Sequence, residues 1–334
     1  MQTRAQTDLA EQQEFIPALL GDGRRLLTLV GICLMLSGGF GLFLAATQQL
    51  LPHDVAYLGA AAAQICGGAD DGRILHFMFH DRAAFGGAVA ATGLLYCWLA
   101  EFPLRQGQGQ VWAWWVLVLS GVLGFGSFLA YLGYGYFDSW HGTATALLLP
   151  VFGLGLARSF GRLPGPRHLR QGLRPSFAGP WRSRAGVGRA SLLAMGAGML
   201  LAGATIILMS MTRVFVPQDL HYLNLTVKEL MTLSPRLVPL IAHDRAGFGG
   251  ALASCGLALF LCVWCGAPSR SLWQVLALTG SVGFATAIGV HPLIGYTDFT
   301  HLAPAFAGLG LFVVGLWGSY EAMHPATKPA RPAH

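Results

Sequence analysis

The sequence predicts an all-α integral membrane protein with eight transmembrane helices, arranged as two tandem parallel four-helix repeats. Composition, the number of long apolar runs and an internal repeat together predict this fold. Of the 334 residues, 54% are hydrophobic and only 11% are charged, and the mean hydropathy is +0.54. Soluble domains carry about 25% charged residues, so this composition excludes a soluble globular protein.

Eight apolar runs are long enough to cross the hydrocarbon core of a bilayer, which takes roughly 20 residues in a helix. We interpret them as helices because a lipid environment offers the backbone no hydrogen-bond partner outside the segment. The predicted spans are 26–47, 82–100, 111–133, 142–158, 190–212, 246–265, 272–293 and 302–319.

The distribution of basic residues predicts the orientation of these spans. With the N-terminus in the cytoplasm, 15 of the 21 Lys and Arg residues lie on the inner side, as the positive-inside rule requires. We therefore expect a protein of the plasma (inner) membrane with both termini cytoplasmic and the lipid bilayer as its environment. The net charge of +6 does not indicate nucleic-acid binding, because no recognition motif accompanies it.

The chain contains the same pattern twice. Residues 80–100 and 243–263 share eleven of 21 positions, including seven of the first eight, which contain the pattern HDRxxFGG. The motifs P-x-D-x-x-Y-L and G-Y-x-D-x-x-H also recur in order. Four spans per half give an even number, so the two halves run in the same sense. The predicted organisation is a cytoplasmic segment 1–25, a first repeat 26–158, a basic cytoplasmic linker 159–189, a second repeat 190–319 and a cytoplasmic tail 320–334.

The three repeated motifs all fall on the extracytoplasmic side and carry four repeated histidines. His80 and His141 stand at the outer ends of spans 2 and 4, where two imidazoles can face one another, and His243 and His301 repeat this arrangement. Facing histidines in a four-helix bundle are a recurrent haem site, and imidazole also suits iron, copper or zinc. The single histidines His53, His221 and His291 have no such counterpart and are interpreted as incidental.

The same polar residues also have purely structural interpretations. The aspartates of the HDR motif, Asp81 and Asp244, would cap the N-termini of spans 2 and 6. The glycines that follow would allow close helix packing. The arginines of the motif would pair with the aspartates of P-x-D-x-x-Y-L, which gives the pairs Arg82–Asp54 and Arg245–Asp219.

Two tandem four-helix halves with His on the even-numbered spans resemble the haem A synthase family. This resemblance is architectural and covers nearly the whole chain. It implies bound haem, with His80 and His141 in one half and His243 and His301 in the other at the positions that surround a haem. The HDRxxFGG sequence is also similar to a motif of other bacterial membrane proteins, which implies no function.

The leading functional hypothesis is a haem-binding membrane protein in electron transfer or oxidation at the extracytoplasmic face. The four histidines would be axial ligands, Arg82 and Arg245 would pair with propionates, and Asp81 and Asp244 would orient the imidazoles. The first alternative is a non-haem iron, copper or zinc enzyme. Its ligands would come from Asp54, His80, Asp138, His141, Asp219, His243, Asp298 and His301.

A further alternative comes from another class of protein, a transporter or a structural subunit of a larger membrane complex. The parallel repeat suits transport, but few charges fall in the middle of the predicted spans, where a transport pathway places its site. A redox partner or a larger membrane complex is the expected protein partner.

Overall fold

The computed structural model describes residues 21–68, 71–106, 110–128, 136–163, 172–177 and 179–324. Within these ranges the chain forms helices and no strands. The helices are α1 (Arg24–Thr47), α2 (Pro52–Leu58), α3 (Ala61–Cys66), α4 (Arg73–Glu101), α5 (Val111–Ser127), α6 (Ser139–Phe160), α7 (Arg184–Ser210), α8 (Pro217–Leu223), α9 (Val227–Leu233), α10 (Leu237–Cys265), α11 (Arg270–Ile294) and α12 (Phe299–Met323).

Seven of these helices, α1, α4, α6, α7, α10, α11 and α12, are long and apolar enough to cross a membrane. The prediction of an all-α membrane protein is therefore confirmed. Helix α5 is apolar but has 17 residues, about 25 Å at 1.5 Å per residue. The rest of its predicted span, 129–133, lies outside the described residues, as do 1–20 and parts of the predicted linker and tail.

Helices α4 and α10 form the centre of the molecule. In their apolar windows 78% and 67% of the residues are buried, against 28% or less in the other five candidate spans. They pack against each other, and α1 packs on α4 as α7 packs on α10. Helix α11 packs on α4 and α5 packs on α10, so each central helix touches a helix from the other part of the chain.

Glycines allow the central helices to approach their neighbours closely. A Cβ atom at Gly86 would stand 2.7 Å from the carbonyl oxygen of Gly38, and one at Gly249 would stand 2.8 Å from that of Gly203. Neither distance is compatible with a side chain, so the α1–α4 and α7–α10 contacts depend on these small residues. The predicted role of the glycines after the HDR motif is confirmed.

The central helices begin nine residues earlier than predicted, at Arg73 and Leu237. Asp81 and Asp244 therefore lie in the interior of their helices, and the prediction that they cap the N-termini is wrong. A hydropathy pattern ends a span where charged residues begin. These charged residues are instead accommodated within the helices, because each has a partner of opposite charge.

Candidate functional site

Two short helices, α2 and α8, bring carboxylates to the same end of the bundle. Each begins with a proline, which is favoured at the first helical position. Each has an aspartate at the third, whose carboxylate accepts the N–H of the residue before the helix. These aspartates, Asp54 and Asp219, are fully buried. The P-x-D motif thus fixes a helix start and aims a carboxylate into the protein.

The predicted pairs of these aspartates with the arginines of the HDR motif are confirmed. Arg82 Nη2 lies 2.8 Å from Asp54 Oδ2, and Arg245 Nη1 lies 2.6 Å from Asp219 Oδ2. Burial alone would raise the pKa of Asp219, but the charge and hydrogen bond of Arg245, together with hydrogen bonds from the Val216 N–H and the Tyr296 hydroxyl, outweigh it and hold the pKa below its usual range.

Each arginine also bonds to the HDR aspartate of the other central helix. Arg82 Nε donates to Asp244 Oδ2 over 2.9 Å, and Arg245 Nε donates to Asp81 Oδ2 over 3.2 Å. All four side chains are less than a tenth exposed. These crossed ion pairs lock α4 to α10 two turns from their N-termini.

Two groups of three candidate ligands flank the crossed ion pairs. Site A consists of His80, His291 and His301, and site B consists of Asp138, His141 and His243. In each site the three ligand atoms lie within 4.8 Å of one another. The HDR motif supplies the first histidine of site A and the last of site B, so both sites lie at the same end of the bundle.

Site B is a compact triangle of ligand atoms. His141 Nδ1 lies 3.2 Å from His243 Nε2 and 2.9 Å from Asp138 Oδ2, and the third edge, His243 Nε2 to Asp138 Oδ2, is 3.4 Å. The other carboxylate oxygen, Oδ1, accepts the N–H groups of Trp140 and His141 and so caps α6. The cap holds Oδ2 toward the two imidazoles.

Site B carries a negative charge on the carboxylate of Asp138. Burial alone would raise the pKa of Asp138, but the hydrogen bonds from His141 and His243 together outweigh it and hold the pKa well below its usual range. Asp138 is therefore ionised at neutral pH. His141 keeps a third of its side-chain surface exposed, whereas His243 is buried, so the approach to site B is past His141.

Site A brings together three imidazoles from α4, α11 and α12. The ring centroid of His80 lies 4.9 Å from that of His291 and 5.7 Å from that of His301. The centroids of His291 and His301 are 5.2 Å apart. His80 and His291 are 3% and 5% exposed, and neither ring nitrogen of His291 has a hydrogen-bond partner. A buried imidazole without a partner is costly, which is consistent with a ligand role.

Neighbouring groups hold the other two imidazoles of site A in orientation. His80 Nδ1 lies 3.1 Å from the carbonyl oxygen of Phe77, and His301 Nδ1 lies 3.1 Å from the Tyr296 hydroxyl. Tyr296 in turn donates to Asp219 over 2.8 Å. Histidine ligands of metals usually bond through their second nitrogen to such an acceptor, which leaves Nε2 free for the metal.

The histidines pair across the repeat rather than within it. We predicted that His80 faces His141 and that His243 faces His301; the structure places His141 against His243, and His80 against His301. The predicted pairs are therefore wrong. His141 and His301 lie in the first turns of α6 and α12, which pack on α5 and α11, and these helices in turn pack on α10 and α4.

These groups do not fit the predicted haem. Two axial imidazoles stand on opposite faces of a porphyrin and cannot touch, whereas the facing nitrogens of His141 and His243 are within hydrogen-bond distance. The arginines assigned to propionates are each already bound to two carboxylates. A ligand set this compact suits a single ion.

Other predicted ligands lie beside the sites. Asp54 and Asp219 bond to the hydroxyls of Tyr136 and Tyr296. Asp298 caps α12, accepting from His301 N–H and the Thr300 hydroxyl, and its carboxylate is not part of site A.

Sequence reasoning missed His291 and His53, which have no counterpart in the other half. His291 completes site A, and His53 Nε2 lies 3.1 Å from Asp138 Oδ1, beside site B. It also missed Tyr136 and Tyr296, although the G-Y-x-D-x-x-H motif contains both tyrosines. Repetition of the tyrosine was the available signal; nothing in the repeat marks the two histidines.

Comparison with known proteins gives no match to a family model, to a curated protein or to a solved structure. The function is therefore argued from the geometry of the two sites.

Proposed function

We propose that this protein is an integral membrane metalloenzyme with two non-haem transition-metal sites and that its reaction takes place at site B. The convergence of three ligand atoms in each site, within 4.8 Å, carries this proposal. In this proposal site A, with two of its three imidazoles buried, holds a structural ion, and site B, with the half-exposed His141, meets the substrate.

The dimensions of site B support a four-coordinate ion. Ligand atoms at about 2.05 Å from a tetrahedral ion lie about 3.3 Å apart. The three edges of site B are 2.9, 3.2 and 3.4 Å. An ion just outside the triangle would bind all three atoms with small movements and would keep a fourth position open.

The balance of buried charge supports bound cations. Five buried aspartates lie at this end of the bundle, at positions 54, 81, 138, 219 and 244, but only two buried arginines accompany them. Each arginine pairs with two of these carboxylates and Asp138 pairs with neither, so the carboxylates outnumber the arginines by three. Uncompensated charge inside a membrane protein is expensive, and metal ions at the two sites would supply the missing positive charge.

The ligand types support different roles for the two ions. Three neutral imidazoles, as in site A, suit zinc or copper, and two histidines with one carboxylate, as in site B, suit iron(II) or zinc. Such an ion polarises a bound oxygen or activates water. The chain's own contribution is to aim the Asp138 carboxylate through its cap and to orient His141 and His243 toward one point.

We also propose the finer architecture predicted from the sequence. Helix α5 would complete an eighth span, and α1, α4, α5 and α6 would correspond in order to α7, α10, α11 and α12. The contacts α1–α4, α1–α6, α5–α6 and α5–α10 have the counterparts α7–α10, α7–α12, α11–α12 and α11–α4, which supports two tandem parallel halves. In the inner membrane with both termini cytoplasmic, the two sites would face the extracytoplasmic side.

A cobalt(II) titration of the purified, metal-stripped protein tests the function. Cobalt replaces zinc or iron, and its visible absorption reports coordination by nitrogen and oxygen. We expect two equivalents to bind, and one in Asp138→Asn, which removes a ligand of site B. The control is His221→Ala, which removes an exposed histidine of α8 outside both sites. Binding of no cobalt by the unmodified protein would refute the proposal.

A further inference from the structure

An apolar groove lies directly below site B. Its walls come from α1, α4, α5 and α10, and the open space between them has a volume of about 60 Å³. Leu34, Phe125 and Ala251 at its mouth are half-buried, and Thr92 and Tyr96 at its floor are buried. The half-buried residues mark the side on which the groove reaches the surface of the bundle.

The groove is continuous with site B. Phe85 and Phe128 line its upper end, and their ring centroids lie 5.5 and 5.6 Å from that of His141. A molecule in the groove would therefore pass two phenyl rings and reach the half-exposed ligand of the site.

The groove has the shape of a slot along a helix. Positions 85, 89, 92 and 96 of α4 line it, and the eleven helical steps from 85 to 96 correspond to roughly 16 Å of helix. A long, narrow apolar slot matches an extended hydrocarbon chain better than a compact ligand.

The polar groups on the floor of the groove are already satisfied. The Thr92 hydroxyl donates to the carbonyl oxygen of Ala88, Tyr96 shares a hydrogen bond of 2.9 Å with Ser120, and Ser254 donates to the carbonyl oxygen of Ser120. An occupant gains no hydrogen bond here, so this part of the groove suits a hydrocarbon tail.

We propose that the substrate is a membrane-soluble amphiphile, an inference that rests on the proposed metal at site B. Its oxygen-containing head group reaches the open position at site B, and its extended hydrocarbon tail lies in the groove beside α4. It enters from the bilayer at the half-buried residues of the groove, Leu34, Phe125 and Ala251.

Two hydroxamates of different tail length test this proposal on the cobalt-loaded protein. Dodecanohydroxamate and acetohydroxamate have the same metal-binding head, and the change in cobalt absorption reports the binding of each. We expect the long-chain compound to bind more tightly, and this preference to fall at least about tenfold when the groove is filled.

Gly124→Leu fills the groove, because a Cβ at Gly124 would already lie 3.0 Å from Ser254 Oγ. The matched control is Gly283→Leu, at the corresponding position of α11, where a Cβ would meet nothing within 4 Å. Ala251→Leu narrows the opposite wall and serves as a second variant. Cobalt binding shows that each variant is folded.

The outcomes separate the two proposals. Loss of the chain-length preference in Gly124→Leu or Ala251→Leu, with the preference kept in Gly283→Leu, supports binding of the tail in the groove. An unchanged preference in both groove variants, with cobalt bound, overturns the proposed tail-binding site and leaves the proposed metal site unaffected. Absence of cobalt binding in the unmodified protein overturns the metal site and the groove proposal with it.

Discussion

Replacing His80 together with His141 distinguishes the pairing seen in the structure from the pairing expected within each repeat. In the structure these histidines belong to different sites, so the double variant His80→Ala/His141→Ala disrupts both. The double variant His80→Ala/His301→Ala removes two ligands of site A and leaves site B complete. Pairing within each repeat would give the reverse result, with the first double variant keeping one site.

The size of the effect follows from the number of ligands. Structural zinc sites with four protein ligands bind with roughly 10–16 kcal/mol, about 2.5–4 kcal/mol per ligand. Loss of one ligand should therefore weaken binding roughly 60- to 700-fold, since each 1.4 kcal/mol is a factor of ten. That is enough for a chelator of intermediate strength to empty the damaged site while the intact site stays filled.

The assay is metal content per chain after dialysis against such a chelator. We expect two equivalents in the unmodified protein, one in His80→Ala and in His80→Ala/His301→Ala, and none in His80→Ala/His141→Ala. One remaining equivalent in His80→Ala/His141→Ala, with none in His80→Ala/His301→Ala, would refute the pairing across the repeat.

Three other predictions concern packing, orientation and pH. Gly38→Leu should destabilise the protein by about 1–3 kcal/mol in thermal unfolding, because a side chain there meets the backbone of α4; Gly39→Leu, with nothing within 4 Å, should change stability little. Tyr296→Phe removes the hydroxyl beside His301 and should weaken site A by roughly 10- to 100-fold in a metal titration, with site B unchanged. Metal content at both sites should fall on acidification, because imidazole binds metal only when it is deprotonated. Metal content that acidification leaves unchanged would contradict histidine ligation.

Much of the fold could be predicted from sequence because lipid leaves few options for an apolar chain. Continuous apolar runs must be helices, and their approximate bounds follow from hydropathy. The starts of α4 and α10 could not be predicted in this way. The charges of the HDR motif lower local hydropathy, and only the three-dimensional partners Asp54 and Asp219 make those charges compatible with a buried helix.

The sequence repeat identified most of the ligand residues of the candidate sites but not which of them contact one another. Persistence of His80, His141, His243 and His301 between the halves pointed to the correct residues for two ligand groups. Which histidines meet depends on how α5 and α11 pack on the opposite central helix, and no sequence spacing encodes that packing. His291 has no counterpart among the repeated motifs, and only its position against His80 shows that it belongs to site A.

The most direct test of the account is the metal content of the protein, purified from its membrane without added metal, together with the absorption spectrum of the same sample. The account predicts one to two equivalents of iron, zinc or copper per chain and no Soret band. A Soret band with stoichiometric haem would restore the haem hypothesis and contradict the non-haem sites. A sample without metal and without haem that also fails to bind cobalt would leave the Asp and His groups with a structural or transport role.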